Sequence, residues 1–186
     1  MKDQNMLKNY QKYQNKCIAL IGHMGSGKSI VGKLIAKKLK LKHFDSDQLI
    51  EKNTKKTINQ IFNTEGELVF RIIEEKTILN FSNKKNIVLS LGGGSILSQK
   101  IRKLLKKEYI TLFLDVDIAT LIKRLKKSSR RPLLLNVNIE KKIKELDSSR
   151  RQYYLLADIT LKNYESPLET LSEFLKKYNK LNEKNN

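Results

Sequence analysis

The residues Gly22-His23-Met24-Gly25-Ser26-Gly27-Lys28-Ser29 satisfy the pattern G-x-x-x-x-G-K-[ST], which marks a loop built to wrap phosphate groups. Residue type dictates the chemistry. Glycines let the backbone curl until several N–H groups point inward at phosphate oxygens. A helix that starts where the loop ends adds the partial positive charge of its N-terminus. Lys28 then reaches the outer phosphates, and the Ser29 hydroxyl is placed to bind Mg²⁺. The flanks suit this chemistry. Cys17-Ile18-Ala19-Leu20-Ile21 is an apolar run of buried-strand length. From Ile30 to Leu39 the spacing is helical, with Val31, Leu34 and Ile35 on one side and Lys33 and Lys37 on another.

Four further stretches carry groups that suit such a loop. In Phe44-Asp45-Ser46-Asp47, two acids at i and i+2 project the same way if strand geometry persists. One can hold Mg²⁺ while the other orients a substrate hydroxyl and accepts its proton. The competing reading is a turn in which Asp47 caps a helix beginning at Gln48. Arg71 sits among apolar neighbours, either as half of an ion pair or as a clamp on a substrate carboxylate. The buried strand Asn86–Leu91 runs into Gly92-Gly93-Gly94, where something approaches the backbone closely unless the run is only a flexible turn. This strand does not end in an aspartate, which leaves Asp45 as the better candidate for the metal. Ser128 to Leu134 breaks the helical periodicity and contains Arg130, Arg131 and Pro132. It reads as a basic lid over about 128–137 that brings an arginine to the transferring phosphoryl group, or else as a solvated linker.

These groups need elements to position them. Strand patterns at 17–21, 42–45, 86–91, 109–114 and 157–161 alternate with helical ones, including 57–62, 66–81, 97–106, 118–127, 139–155 and 168–178. That alternation specifies an α/β fold with a parallel sheet covered by helices on both faces. In such a sheet, ligands bind at the carboxyl ends of the strands. Residues 16–178 form one domain, between a polar extension at 1–15 and a polar tail at 179–186 that frays.

A net charge of +19 raises the question of nucleic acid. The lysines are spread through nearly every segment, and no RNA-recognition or zinc-finger spacing is present. The expectation is no specific nucleic-acid partner. No apolar run approaches a membrane span, and the first sixteen residues lack the apolar core of a signal peptide. The single cysteine, Cys17, cannot form an internal disulfide and reads as a core residue. A cytoplasmic monomer with no membrane partner is expected.

In order, the signatures are the phosphate loop, Phe44-Asp45-Ser46-Asp47, Gly66-Glu67 with Phe70-Arg71 and Glu74, Leu91-Gly92-Gly93-Gly94, and Arg131-Pro132-Leu133-Leu134. A looser one runs from Arg150 to Tyr154, followed by Ala157-Asp158. Together they resemble the shikimate kinase family from about Lys16 to Leu175. The resemblance implies a P-loop NTPase-type open parallel five-stranded sheet of the nucleoside-monophosphate-kinase kind. It also implies transfer of the ATP γ-phosphate to the 3-hydroxyl of shikimate, in the route to chorismate and aromatic amino acids. Gly25, Ser26, Gly27, Lys28, Ser29 and Ile30 would then bind ATP, with Arg124 and the Pro167 region beside the adenine and Arg131 acting from the lid. Ser29 and Asp45 would position Mg²⁺. Asp47 would hold the shikimate hydroxyls and serve as base. Arg71 and Arg150 would grip the carboxylate, with Gly93 and Gly94 lining the same pocket. The resemblance makes Lys28, Asp47 and Arg131 the expected catalytic set. The chain has Gln152 where the family often has proline, and the adjacent arginines leave Arg151 open as the alternative to Arg150.

Three other readings compete. Gluconate kinase shares the loop and lid, but not the combination of Arg71, triple glycine and Arg131-Pro132-Leu133-Leu134. A GTPase would need Asn-Lys-x-Asp, and Asn83-Lys84-Lys85-Asn86 ends in Asn. A basic scaffold for nucleic acid would bind oligonucleotides in a strongly salt-dependent way and would not turn over ATP in response to a small substrate.

Overall fold

The computed structural model describes residues 17–126, 138–162 and 166–183. Five strands, β1 (Cys17–Ile21), β2 (Lys42–Asp45), β3 (Ile87–Ser90), β4 (Tyr109–Asp115) and β5 (Ile159–Lys162), form one sheet in the order β2-β3-β1-β4-β5. Every neighbouring pair is parallel. All five carboxyl ends therefore lie on one side, with a switch in strand order beside β1.

The register decides what meets there. Asp45 of β2 pairs with Ser90 of β3, and Ser90 pairs with Leu20 of β1. The phosphate loop, the first acid and the glycine run thus leave the sheet from one cross-strand row. β1 is apolar and buried throughout and β3 is buried along its length, as strands covered on both faces must be, while β2, at the sheet edge, is mixed and only partly buried.

Helices cover the two faces. On one face, α1 (Lys28–Leu39) and α7 (Pro167–Glu183) lie over the sheet. Val31, Ile35, Ala36 and Phe174 pack there on Ile18, Leu20, Val88, Ile110 and Leu112. On the other face, Ile78 of α3 (Ile58–Leu79), Ile101 and Leu105 of α4 (Gln99–Glu108) and Tyr154 of α6 (Ile139–Tyr154) pack on Cys17, Ala19, Ile21, Leu89 and Phe113. Two smaller cores extend past the strand ends. Ile50 of α2 (Ser46–Thr54) meets Ile61 and Phe70. Met24 of the loop meets Leu121 and Leu125 of α5 (Ile118–Lys126) and Ile143.

Several boundaries differ from the sequence expectation. α3 bends at Gly66, whose φ of 83° is non-helical, so the two expected helices run on as one broken element. It starts with a reciprocal cap between Thr57 and Gln60. A 3₁₀ turn at Ser95–Leu97 precedes α4, which begins later than its apolar pattern because Ser98 caps it. α7 continues to Glu183 instead of fraying at 179. Leu171, Leu175, Tyr178 and Leu181 recur at helical spacing and pack on the core, which draws the end of the helix onto the sheet. The lid at about 128–137 and the extension at 1–15 lie outside the described residues.

Gly32, one turn into α1, is where the helix that carries Lys28 touches β2 and β3. A Cβ added there would lie 2.6 Å from Ser90 Oγ and 2.8 Å from His43 Nε2. Those two atoms are themselves bonded at 3.0 Å, and Ser90 Oγ donates to the Lys28 carbonyl at 3.1 Å. Gly32→Ala is therefore expected to cost about 1–3 kcal/mol by overpacking. Urea unfolding measures it, and an unshifted midpoint would contradict this packing.

Candidate active site

The loop after β1 folds as its glycines require. Gly27 stands at φ 92°, ψ 12°, the left-handed region that side chains avoid, and from there the chain turns into α1. No side chain caps α1, so its first N–H groups face the loop interior. The Lys28 ammonium lies in the same space. Its Nζ donates to the carbonyls of Gly22 at 2.8 Å and His23 at 2.7 Å, with Ser26 Oγ at 3.4 Å. A buried ammonium needs such oxygens, and phosphate oxygens would meet the same need.

Ser29 follows on the first turn and donates its hydroxyl to Asp45 Oδ2. The other oxygen of Asp45 accepts the backbone N–H groups of Asp47 at 3.0 Å and Gln48 at 3.3 Å. Asp45, not Asp47, is thus the helix cap, because α2 begins at Ser46 directly after the strand. The two acids do not share an extended segment. Asp45 is turned to Ser29, and Asp47 rides on the first turn of α2. A hydroxyl and a carboxylate oxygen suit Mg²⁺, which keeps several waters and takes phosphate oxygens as further ligands. Among the described residues, no group of three or more His, Cys, Asp or Glu side chains converges on a metal-sized space.

The glycine run is a fixed turn, not a flexible one. Gly92 N–H donates to Ser46 Oγ at 2.8 Å, and Ser95 Oγ donates to the Gly92 carbonyl at 2.7 Å. The Tyr154 hydroxyl donates to the Gly93 carbonyl. Side chains also crowd this turn. A Cβ on Gly92 would collide with Glu74 and lie 2.7 Å from Asp47 Oδ1, and one on Gly94 would collide with the Arg71 guanidinium.

A cleft of about 240 Å³ opens between these parts. Ser29, Asp45, Asp47, Arg71, Gly93, Gly94 and Arg150 all line it, together with Met24, Phe62, Phe70 and Glu74. Its charges are arranged in a definite pattern. Glu74 is 2% exposed and accepts from Arg71 Nη1 at 2.6 Å. Arg71 also reaches Glu67 at 2.9 Å. Burial raises the pKa of the Glu74 carboxyl, against the pull of Arg71. Burial alone would lower that of Arg71, but Glu74 and Glu67 hold it above its ordinary value. Arg150 is 2% exposed, and its Nε has no hydrogen-bond partner among the described residues. Burial lowers its pKa; Tyr154 opposes the shift and the nearby Arg71 charge adds to it. Arg71 is thus answered by two carboxylates, whereas the buried Arg150 keeps an Nε, unpartnered among the described residues, that a ligand anion would satisfy.

The register of the two adjacent arginines follows from α6. Arg151 points away from the cleft, to Asp115 at 3.3 Å and Asp147 at 3.5 Å. Arg124 lies on the other side of the loop, with Nη1 donating to the Gly25 carbonyl at 3.3 Å. Ile30 is 58% exposed on α1 and does not line the cleft. Arg131 lies outside the described residues. Glu74 stood in a sequence signature without a role, and its place between the two arginines needed the fold. Of the residues that give the cleft its apolar wall, Met24 and Phe70 stood within signatures but without a role, and Phe62 carries no sequence signal that separates it from ordinary core.

A Gly-rich phosphate loop at a strand-order switch, with paired acids and arginines beside it, defines a P-loop phosphotransferase of the nucleoside-monophosphate-kinase kind. A family model described as shikimate kinase matches residues 24–179. The shikimate kinase of Bartonella quintana (strain Toulouse) is 34% identical over 177 residues, covering 92% of this chain and 84% of that protein. That of Bartonella henselae is 46% identical over 110 residues, which span 59% of this chain and about half, 52%, of that protein. The structure of shikimate kinase from Acinetobacter baumannii in complex with shikimate superposes with a TM-score of 0.86 at 30% identity, covering 92% of this chain and 97% of that one. The chain belongs to the shikimate kinase family.

Both histidines of the chain lie beside this site, and burial lowers the pKa of each from 6.5. The unfolded chain takes up protons there first. The stability that keeping these rings neutral contributes is therefore complete above that value and is lost as pH falls from it toward the folded pKa. Accordingly, the thermal midpoint is expected to drop between about pH 7.5 and 5.5. Replacing His43 by Gln should flatten the drop, and an unchanged slope would contradict the assignment.

Proposed function

We propose that the cleft binds Mg·ATP on the phosphate loop and shikimate on its inner wall, and that the γ-phosphoryl group passes to the shikimate 3-hydroxyl. The observation that carries this reading is the buried Arg150 near Arg71, with an Nε that has no hydrogen-bond partner among the described residues, in the same cleft as Asp47. Shikimate is a small polyol with one carboxylate. Its carboxylate answers the two arginines, its hydroxyls answer Asp47, and the fixed turn at Gly93 and Gly94 lets it approach the backbone.

In this reading Lys28 exchanges the carbonyls of Gly22 and His23 for β- and γ-phosphate oxygens. Backbone N–H groups of Gly25, Gly27, Lys28 and Ser29 hold the remaining phosphate oxygens, while those of Ser26 and Ile30 close the loop on the His23 and Gly27 carbonyls. Ser29 and Asp45 would hold Mg²⁺, which when bound supplies positive charge that offsets the phosphates. Asp47 orients the attacking hydroxyl and takes its proton. Transfer passes through a loose transition state, so placement and charge matter more here than the strength of a base. Arg124 flanks the nucleotide through its hold on Gly25, and Arg131, which lies outside the described residues, would act on the phosphates. We read the chain as a cytoplasmic monomer of one domain with no nucleic-acid or membrane partner. No helix among the described residues is long and apolar enough to cross a membrane.

Steady-state kinetics of three variants, followed by ADP release, test these roles. Asp47→Asn should lower kcat about a hundredfold through lost alignment of the hydroxyl. Arg150→Ala should raise the KM for shikimate about thirtyfold or more, and Arg151→Ala should leave it within a few-fold. Near-normal turnover by Asp47→Asn, or a larger KM effect at Arg151 than at Arg150, would overturn the assignment.

A further inference from the structure

One buried polar contact joins the phosphate loop to α6 outside the cleft. His23 follows the first glycine of the loop and is 3% exposed. Its ring stands edge-on to Tyr154, with centroids 5.0 Å apart at 82°. Its Nε2 lies 2.8 Å from Oδ1 of Asp147, one helical turn before Arg150. Its Nδ1 is buried with no hydrogen-bond partner among the described residues.

These surroundings decide the state of the ring. Burial disfavours the cation; Asp147 opposes that, and the positive charges of Lys28 and Arg150 reinforce it. The neutral ring carries its proton on Nε2 and donates it to Asp147, leaving Nδ1 as a bare acceptor. Asp147 is held from behind by Arg151 at 3.5 Å, and Arg151 by Asp115 at the end of β4 at 3.3 Å. A chain of polar contacts thus runs from the sheet to His23.

The backbone of the same residue carries the consequence. The His23 carbonyl accepts from Lys28 Nζ at 2.7 Å. Fixing the ring fixes the peptide that aims this carbonyl. An apolar ring would pack on Tyr154 without leaving a buried nitrogen unpaired. What the polar pair adds is direction.

We propose that Asp147 is a positioning residue for the nucleotide site: acting through the His23 ring, it holds the loop peptide, and with it Lys28, in the orientation that receives phosphate. The inference deepens the function proposed above and rests only on its nucleotide half. It requires no statement about the second substrate.

The test is a double-mutant cycle read by calorimetric binding of Mg·ADP to the full chain. Asp147→Ala and His23→Phe should each weaken binding about five- to tenfold, and the double variant should be no weaker than either. Asp147→Asn keeps an oxygen for the Nε2 proton and should restore most of the affinity. His23→Phe keeps the ring packing, so its thermal midpoint should stay near that of the parent while its affinity falls. A purely structural contact would do the reverse, lowering the midpoint and sparing the affinity of the folded protein. Unaltered affinity in the single variants, or additive losses in the double one, would overturn the inference while leaving the nucleotide reading intact. Failure of the parent chain to bind Mg·ADP would overturn both.

Discussion

A buried ammonium group must be surrounded by oxygen, and Lys28 obtains that oxygen from its own loop. Much else follows from this one requirement. The carbonyls of Gly22 and His23 can turn inward only if the backbone curls through conformations that side chains resist. The curl can hold only if both ends are anchored, by β1 in the centre of the sheet and by α1 packed on its face. The parallel order of the strands then brings Asp45 and the glycine turn to the same edge, through the row Asp45–Ser90–Leu20. The loop is in effect a cation site whose oxygens a phosphate can replace.

The second half of the cleft rests on a different balance. Glu74 is bonded to Arg71 and feels the charge of Arg150 on the inner wall, so that Arg71 is answered from within while the Nε of Arg150 is left for a ligand. The internal answer keeps two arginines from repelling each other out of a buried wall. The remainder gives the wall its preference for an acid. Gly92 and Gly94 belong to the same device, since neither tolerates a side chain against Glu74, Asp47 and Arg71. A substrate must therefore be small, anionic and rich in hydroxyls to use what the cleft offers.

The strands, their alternation with helices and the loop were legible in the sequence because each is a local pattern. Apolar runs of four to seven residues mark β1, β3 and β4 without reference to anything distant. Asp45 and Asp47 were legible as a pair, with Asp45 the better candidate for the metal, but not in their placement, because the helix begins directly after the strand, with Asp45 as its cap and Asp47 in its first turn. Arg150 and Arg151 could not be told apart by spacing. Only the packing of α6 decides which of them is buried and which turns to Asp115 and Asp147. The contact between His23 and Asp147 joins residues 124 positions apart, and neither has a local signal. The far end of α7 looked like a polar tail because its apolar residues are sparse, and it is the sheet beneath them that keeps the helix wound.

The central claim is that one cleft couples a phosphate loop to an acid-recognising wall, and one rate measurement tests it. ADP release from Mg·ATP is followed with the chain alone, with shikimate, and with gluconate as a hydroxy acid of different shape. The account requires slow release that shikimate stimulates strongly and gluconate does not. Nucleotide binding with equal release in all three conditions would contradict it, by separating the loop from the wall that the fold sets beside it.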